Sequence, residues 1–167
     1  MKKNNNTFKD FIIAKDLVNK YHEGQKDKVG KLYINHLWRV SFDQKTYNGM
    51  IVGLLHDLLE DTNFQKEYND SFSLALEEID RLFGRKVGNA LYLLTKSSYF
   101  SYSKYIKMLC NSKYKLAIEV KLSDLKDNMN LFRLNKIRYK DIKRFFKYLK
   151  SYVKLKLVLF KLKINGS

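Results

Sequence analysis

The apolar run Gly49-Met50-Ile51-Val52-Gly53-Leu54-Leu55 leads into His56-Asp57-Leu58-Leu59-Glu60-Asp61-Thr62, and four of those side chains can ligate a metal or move a proton. A carboxylate buried unpaired in such a run is very costly, so these groups need partners or an ion. If the run is one helix, His56 and Glu60 stand four apart, as do Asp57 and Asp61. All four then edge one wall of a cavity. That pattern fits a catalytic wall better than a solvated face.

Two further polar positions break into apolar helical patterns. His36 lies in Tyr33-Ile34-Asn35-His36-Leu37-Trp38-Arg39-Val40, and Asp124 in Val120-Lys121-Leu122-Ser123-Asp124-Leu125-Lys126-Asp127-Asn128-Met129. With His56 and Asp57 they form a donor set of two imidazoles and two carboxylates, suited to Mn, Fe, Zn or Mg. A structural zinc site more often uses sulfur, and the single Cys110 supplies neither a disulfide nor a cysteine cluster. Four protein ligands leave room for water on an octahedral ion, and such water is a strong nucleophile at neutral pH.

Each element alone is weak. A lone histidine on an apolar face is usually a satisfied core residue, and His22, in a polar loop, is read as non-catalytic. Asp124 is also readable as a surface carboxylate paired with Lys121 or Asn128, and Glu60-Asp61 as a helix end in water. Arg39 follows His36 by one turn and reaches either the pocket or solvent. The conjunction of three elements on apolar helices carries the metal-site reading.

Rigid helices must hold these side chains. The periodicity predicts a first helix over 8–21, capped by Thr7, with Phe11, Ile12, Ala14, Leu17 and Val18 as its stripe. After a glycine-containing loop at 22–31, further helices are expected over 33–44 and 47–59. A polar connection at 62–70 precedes a helix over 72–83, started by Ser71 and ended by Gly84. Helices over 87–94, 102–110 and 114–134 follow, and then a basic, apolar pattern over 139–162. No proline interrupts any of them, and 45% of the 167 residues are hydrophobic. The chain therefore reads as all-α, a single domain over 1–167 with a substantial core and no linker or repeat. Trp38 and Cys110 are expected in that core, the latter as an inert thiol.

The formal net charge is +16, which favours an anionic substrate. Abundant Lys, Asn, Ile and Tyr also fit an AT-rich coding bias, which accounts for much of that charge. The stretch Phe145-Phe146-Lys147-Tyr148-Leu149-Lys150 could touch a membrane or nucleic acid. A terminal helix packing on the core with its lysines in water is the weightier reading. The polar residues 1–6 are followed by no run suited to a signal or a membrane span, so a cytoplasmic protein is expected.

The pieces Gly30-Lys31-Leu32-Tyr33-Ile34-Asn35-His36, Leu54 through Thr62, Leu82-Phe83-Gly84-Arg85-Lys86-Val87, Leu94-Thr95-Lys96 and Val120 through Met129 occur in this order. In them the chain resembles the HD-domain metal phosphohydrolases, and among these the (p)ppGpp hydrolase domain of RelA/SpoT-type enzymes, including small stand-alone alarmone hydrolases. The resemblance covers about 8–134 and leaves 135–167 as a basic C-terminal helical segment. Glu-Asp-Thr after His-Asp, and Asn four residues after the last Asp, are its subfamily-specific parts. It implies a helical HD-domain bundle holding one metal, typically Mn²⁺, by His36, His56, Asp57 and Asp124. It further implies that Glu60 and Asp61 activate or orient the attacking water. The reaction would be removal of the 3′-pyrophosphate from (p)ppGpp, giving GDP or GTP. Lys26 matches a loop lysine beside the nucleotide and Asn128 a polar contact to it. Lys121, on the face of Asp124, either helps with phosphate or pairs with a carboxylate.

Departures from the resembled pattern affect substrate recognition. Gln25 and Leu125 stand where that family usually has Arg, and Leu32 and Leu37 where it commonly has proline. No metal ligand is lost. No synthetase or regulatory domain fits in the remaining residues, so a degradative role is expected. Competing readings are a hydrolase of another nucleotide (a nicotinamide dinucleotide phosphate or a deoxynucleotide), a non-catalytic nucleotide sensor, and a basic nucleic-acid-binding helical protein. The intact Glu60-Asp61 weighs against the sensor, and charge alone supports the last. Partners are thus a phosphorylated nucleotide, with no specific nucleic acid, no membrane span and the oligomeric state open.

Overall fold

The computed structural model describes residues 7–164, the side chain of Thr7 excepted. The polar start at 1–6 and the cap read at Thr7 lie outside the described residues. Among the described residues every regular element is helical, apart from one antiparallel bridge between Lys26 and Leu32. The all-α reading therefore holds.

Helix α1 (Thr7–Tyr21) buries Ala14 and Val18, with Phe11 and Leu17 against the core. Ile12 is 36% exposed because it sits one residue, hence about 100°, round from Phe11 and off the stripe. Helix α2 (Ile34–Phe42) lies against α3 (Tyr47–Leu55), whose start is capped by the Thr46 hydroxyl accepting the Gly49 N–H at 3.1 Å. A helix apolar on all sides belongs inside, and α3 contacts α1, α2, α6 and α8. Its Gly53 lets α2 come close: a Cβ there would stand 2.7 Å from the Ser41 Cα. Trp38 is only partly buried, stacked on Phe42 with centroids 5.3 Å apart.

Two elements are shorter than their patterns predict. The helix expected over 47–59 stops at Leu55, and a short α4 (Leu58–Asp61) follows. His56 Nδ1 donates to the Gly53 carbonyl at 2.8 Å, the acceptor that an unbroken helix would give to the Asp57 N–H. Asp57 takes φ −104° and ψ 0°, in the sparsely populated bridge region. The wall of i,i+4 neighbours expected across 56–61 is thus replaced by a turn. The helix expected over 114–134 ends as α8 (Lys115–Asn128), and a 3₁₀ turn spans Leu131–Arg133.

Between these, the 62–70 connection contains a 3₁₀ turn (Phe64–Tyr68) that buries Phe64. Helix α5 (Phe72–Phe83) starts on the Ser71 cap and ends at Gly84, where φ of +85° makes the turn into α6 (Arg85–Leu94). Helix α7 (Tyr102–Ser112) carries the half-buried Cys110, whose thiol burial pushes to a higher pKa. Helix α8 is the shared post, contacting α2, α3, α6, α7 and α9 (Tyr139–Ile164). The core-packing reading of α9 is half of what is found. Asp141, Ser151, Leu155 and Leu159 are buried, while Ile142, Phe146, Leu149, Val153, Leu157, Phe160 and Ile164 are exposed. No helix among the described residues is long and apolar enough to cross a membrane.

Candidate active site

Three helices deliver the sequence-predicted ligands to one point. His36 comes from α2, His56 and Asp57 from the turn after α3, and Asp124 from α8. His36, His56 and Asp124 are each at most 5% exposed, so the surface-carboxylate reading of Asp124 is set aside. One ligand atom from each of these three lies within 4.8 Å of the other two. The Asp57 Oδ2 is 3.0 Å from His56 Nε2 and 3.8 Å from His36 Nε2. Asp124 Oδ1 is 3.3 Å from His36 Nε2 and 3.8 Å from His56 Nε2.

The tautomers follow from the partners. His36 Nδ1 faces Asp127 Oδ2 at 2.6 Å, and His56 Nδ1 faces the Gly53 carbonyl, both acceptors. Each Nδ1 therefore carries the hydrogen, and each Nε2 presents a lone pair when the ring is neutral. Both Nε2 atoms are buried and, among the described residues, lack a partner of hydrogen-bond geometry. Histidine ligands to metals are held in this way, with the other ring nitrogen donating to a carboxylate or carbonyl. Two converging lone pairs, two adjacent carboxylates and no sulfur fit a divalent cation of the Mn, Fe, Zn or Mg type.

The electrostatics agree. Burial would lower both imidazoles, yet both are raised, His36 by Asp124 and Asp127 and His56 by Asp57 and Asp124. Burial would raise Asp57 and Asp124; His56 holds the first down, and Lys121 with the imidazoles the second. The cluster concentrates negative charge that protons or a metal can compensate, so metal binding competes with protonation.

Around this centre lies a cavity of about 430 Å³. Asp57, Glu60, Asp61, Asp124, Lys26, Lys121 and Asn128 all line it, so every predicted catalytic and substrate-contact residue reaches one space. Glu60 and Asp61 stand at its solvent side, exposed, and the Glu60 Oε2 accepts the Lys96 N–H at 2.9 Å. Partial desolvation raises both carboxyls above their ordinary values, and the Asp57 charge adds to the rise at Asp61. Lys121 pairs with Asp124 Oδ2 at 2.7 Å, and Asn128 Nδ2 donates to Asp124 Oδ1 at 2.5 Å. Both thus brace the Asp124 carboxylate while facing the cavity.

Several contributors were not singled out from sequence. Asp127 orients His36, and its three-residue spacing from Asp124 on one helix was the available signal. Arg39, which the sequence placed toward either the pocket or solvent, donates from Nε to Asp127 Oδ1 at 2.5 Å, so it braces that carboxylate. Tyr33 donates to Asp57 Oδ2 at 2.5 Å; burial and Asp57 raise its pKa, so the hydroxyl keeps its proton. Arg133, bridging Asp127 and Asp27, and Arg144 and Tyr148 of α9 also line the cavity. His22 lies outside the cavity wall but is buried, stacked on Tyr33 at 5.6 Å, with Nδ1 donating to Gln25 Oε1 at 2.5 Å. Among the departures, Leu37 is core, Leu32 is exposed and Leu125 forms buried cavity wall.

No protein-family model matches the chain. A guanosine-3′,5′-bis(diphosphate) 3′-pyrophosphohydrolase of Spiroplasma citri is 33% identical over 136 residues, an alignment covering 74% of this chain and 17% of that protein. The chain thus spans about a sixth of that relative's length. A solved structure described as a metazoan ortholog of SpoT that hydrolyses ppGpp superposes with a TM-score of 0.66 and 21% identity, over 94% of this chain and 96% of that one. The fold is that of an HD domain. Within that class, the chain resembles the (p)ppGpp hydrolase domain of RelA/SpoT-type enzymes.

Proposed function

We propose that the chain is a metal-dependent hydrolase that removes the 3′-pyrophosphate of guanosine tetra- or pentaphosphate. The observation that carries this reading is the pair of imidazole Nε2 lone pairs converging with Asp57 and Asp124 beside a cavity that also holds cations. The similarity to a named pyrophosphohydrolase supports the substrate. His36, His56, Asp57 and Asp124 would hold the ion, Mn²⁺ in this proposal. When bound, it supplies Lewis-acid charge and acidifies water.

The chain's own residues do the rest. Glu60 and Asp61, with raised carboxyl pKa values, are suited to take a proton from the attacking water at their free oxygens. The Lys96 N–H on Glu60 Oε2 leaves Oε1 for that proton. Lys26 and Lys28 form no salt bridge among the described residues and face the cavity, placed to bind phosphate oxygens. Asn128 and Lys121 fix Asp124 and present their remaining polar capacity to the same space. Water adds to phosphorus, the bond to the 3′-oxygen breaks, and GDP or GTP leaves with pyrophosphate as the other product. A nucleotide substrate made inside the cell supports a cytoplasmic place of action.

One observation favours a second substrate class. Gln25, where the resembled loop usually has a cation, is turned onto His22 and adds no charge to the cavity. Another phosphorylated nucleotide would then compete. The test is incubation with Mn²⁺ and ppGpp, beside His56→Ala. GDP and pyrophosphate formed only by the unaltered protein support the proposal. Metal binding without turnover would refute the alarmone substrate and send the search to a nucleotide panel.

A further inference from the structure

Helix α9 carries an outward apolar stripe that the hydrolase reading does not use. At about 100° per residue, the buried residues Asp141, Ser151, Leu155 and Leu159 define one side of the helix. Phe146, Leu149, Val153, Leu157, Phe160 and Ile164 fall on the opposite side, each between 36% and 63% exposed. Lys143, Lys150, Lys154 and Lys161 run along one flank of this stripe, and Lys156 and Lys163 along the other, while Lys147 turns inward over the Tyr102 ring at 4.0 Å. The six flanking lysines are exposed. The single acid of the helix, Asp141, is buried and paired with Arg144 at 2.9 Å.

We propose that this face is a docking surface for an anionic lipid bilayer, on which α9 lies in the plane of the interface. The stripe meets the hydrocarbon boundary, and the lysine stems run along it while their ammonium groups reach anionic headgroups. Charge selects this occupant. A second copy would set lysine rows against lysine rows, since α9 itself brings no exposed acidic residue to either flank of the stripe. Nucleic acid would match the lysines and leave the aliphatic and aromatic stripe in water. The inner side of α9 is anchored on α8 and α7, so the stripe is presented on a fixed rod of 26 residues, about 39 Å long. Arg144, which lines the cavity, is on the side away from the stripe. Docking therefore leaves the hydrolase site open to water.

Co-sedimentation with vesicles of phosphatidylcholine alone, or of phosphatidylcholine mixed with phosphatidylglycerol, tests the proposal. The full chain is expected to bind the mixed vesicles, to release them at high salt, and to ignore the neutral ones. Val153→Glu with Phe160→Glu should weaken binding by on the order of tenfold or more, since affinity follows buried apolar area. Lys150→Glu with Lys154→Glu should weaken it while keeping the stripe. These positions are exposed, and unchanged helical circular dichroism and Mn²⁺ affinity check the fold. No binding to mixed vesicles overturns the proposal, as does binding that survives loss of the stripe. It is equally overturned if the Val153/Phe160 variant loses a dimer seen in solution, or loses binding to single-stranded RNA.

Discussion

Asp127→Asn isolates the carboxylate that supports His36 in the proposed metal site. The carboxylate accepts from His36 Nδ1 at 2.6 Å, Arg39 Nε at 2.5 Å and Nη2 at 3.1 Å, and Arg133 Nη1 at 2.6 Å. An amide keeps one acceptor oxygen and turns its own N–H groups toward a donor. Charge-assisted bonds are worth about 1.5–3 kcal/mol when buried. The Arg39 side chain is 42% exposed, so its share is discounted for solvent screening. A net loss of about 2 kcal/mol is expected, lowering Tm by about 4–8 °C. Separately, His36 loses the partner that fixes its tautomer, and metal affinity should fall about 10–100-fold, or about 1.4–2.8 kcal/mol. Calorimetric titration with Mn²⁺ and a thermal melt read the two effects apart. A lower Tm with unchanged Mn²⁺ affinity would falsify the orienting role and leave Asp127 as an ordinary structural acceptor.

Glu60→Gln should keep Mn²⁺ affinity while lowering kcat by about 10²–10⁴-fold, and a full rate in steady-state assays would remove Glu60 from proton transfer. Gly53→Ala places a Cβ 2.7 Å from the Ser41 Cα, so an overpacking cost of about 1–3 kcal/mol should appear in urea unfolding; an unchanged midpoint would contradict the close approach of α2 and α3. Burial would raise the Asp27 carboxyl, but the Val29 and Lys31 N–H groups and Arg133 hold it below its ordinary value. A lowered folded pKa gives stability that is complete above an unfolded value of about 3.9 and lost as pH falls through the folded value. Urea midpoints should thus drop between pH 5 and pH 3, less steeply for Asp27→Asn, and equal slopes would exclude Asp27 as a source of acid lability.

What the sequence made legible is what local rules govern. Periodicity placed α5 between its Ser71 cap and Gly84 turn because both signals act within one turn of the chain. The ligands were readable because a histidine or carboxylate in an apolar helix must be compensated by something. The break at His56-Asp57 was hidden, since it depends on a side chain taking a backbone acceptor rather than on a breaking residue type. The pairing of Asp127 with Arg39 was hidden for another reason. Their meeting joins α8 to α2 across 88 residues, and helical spacing specifies only neighbours on one element. The outer face of α9 was present in the letters, but which of its two apolar sides the core would take was set by α8.

The two imidazoles acquire their orientation at different ranges along the chain. His56 is set by an acceptor three residues away, inside its own turn, whereas His36 waits for a carboxylate 91 residues distant. The first alignment forms with local structure, and the second only after α8 has closed a long loop onto α2, a step that topology makes slow. The orientation of His56 is therefore local to its own turn, and that of His36 reports completed tertiary assembly. In rising denaturant, tight Mn²⁺ capture should disappear when α8 separates from α2.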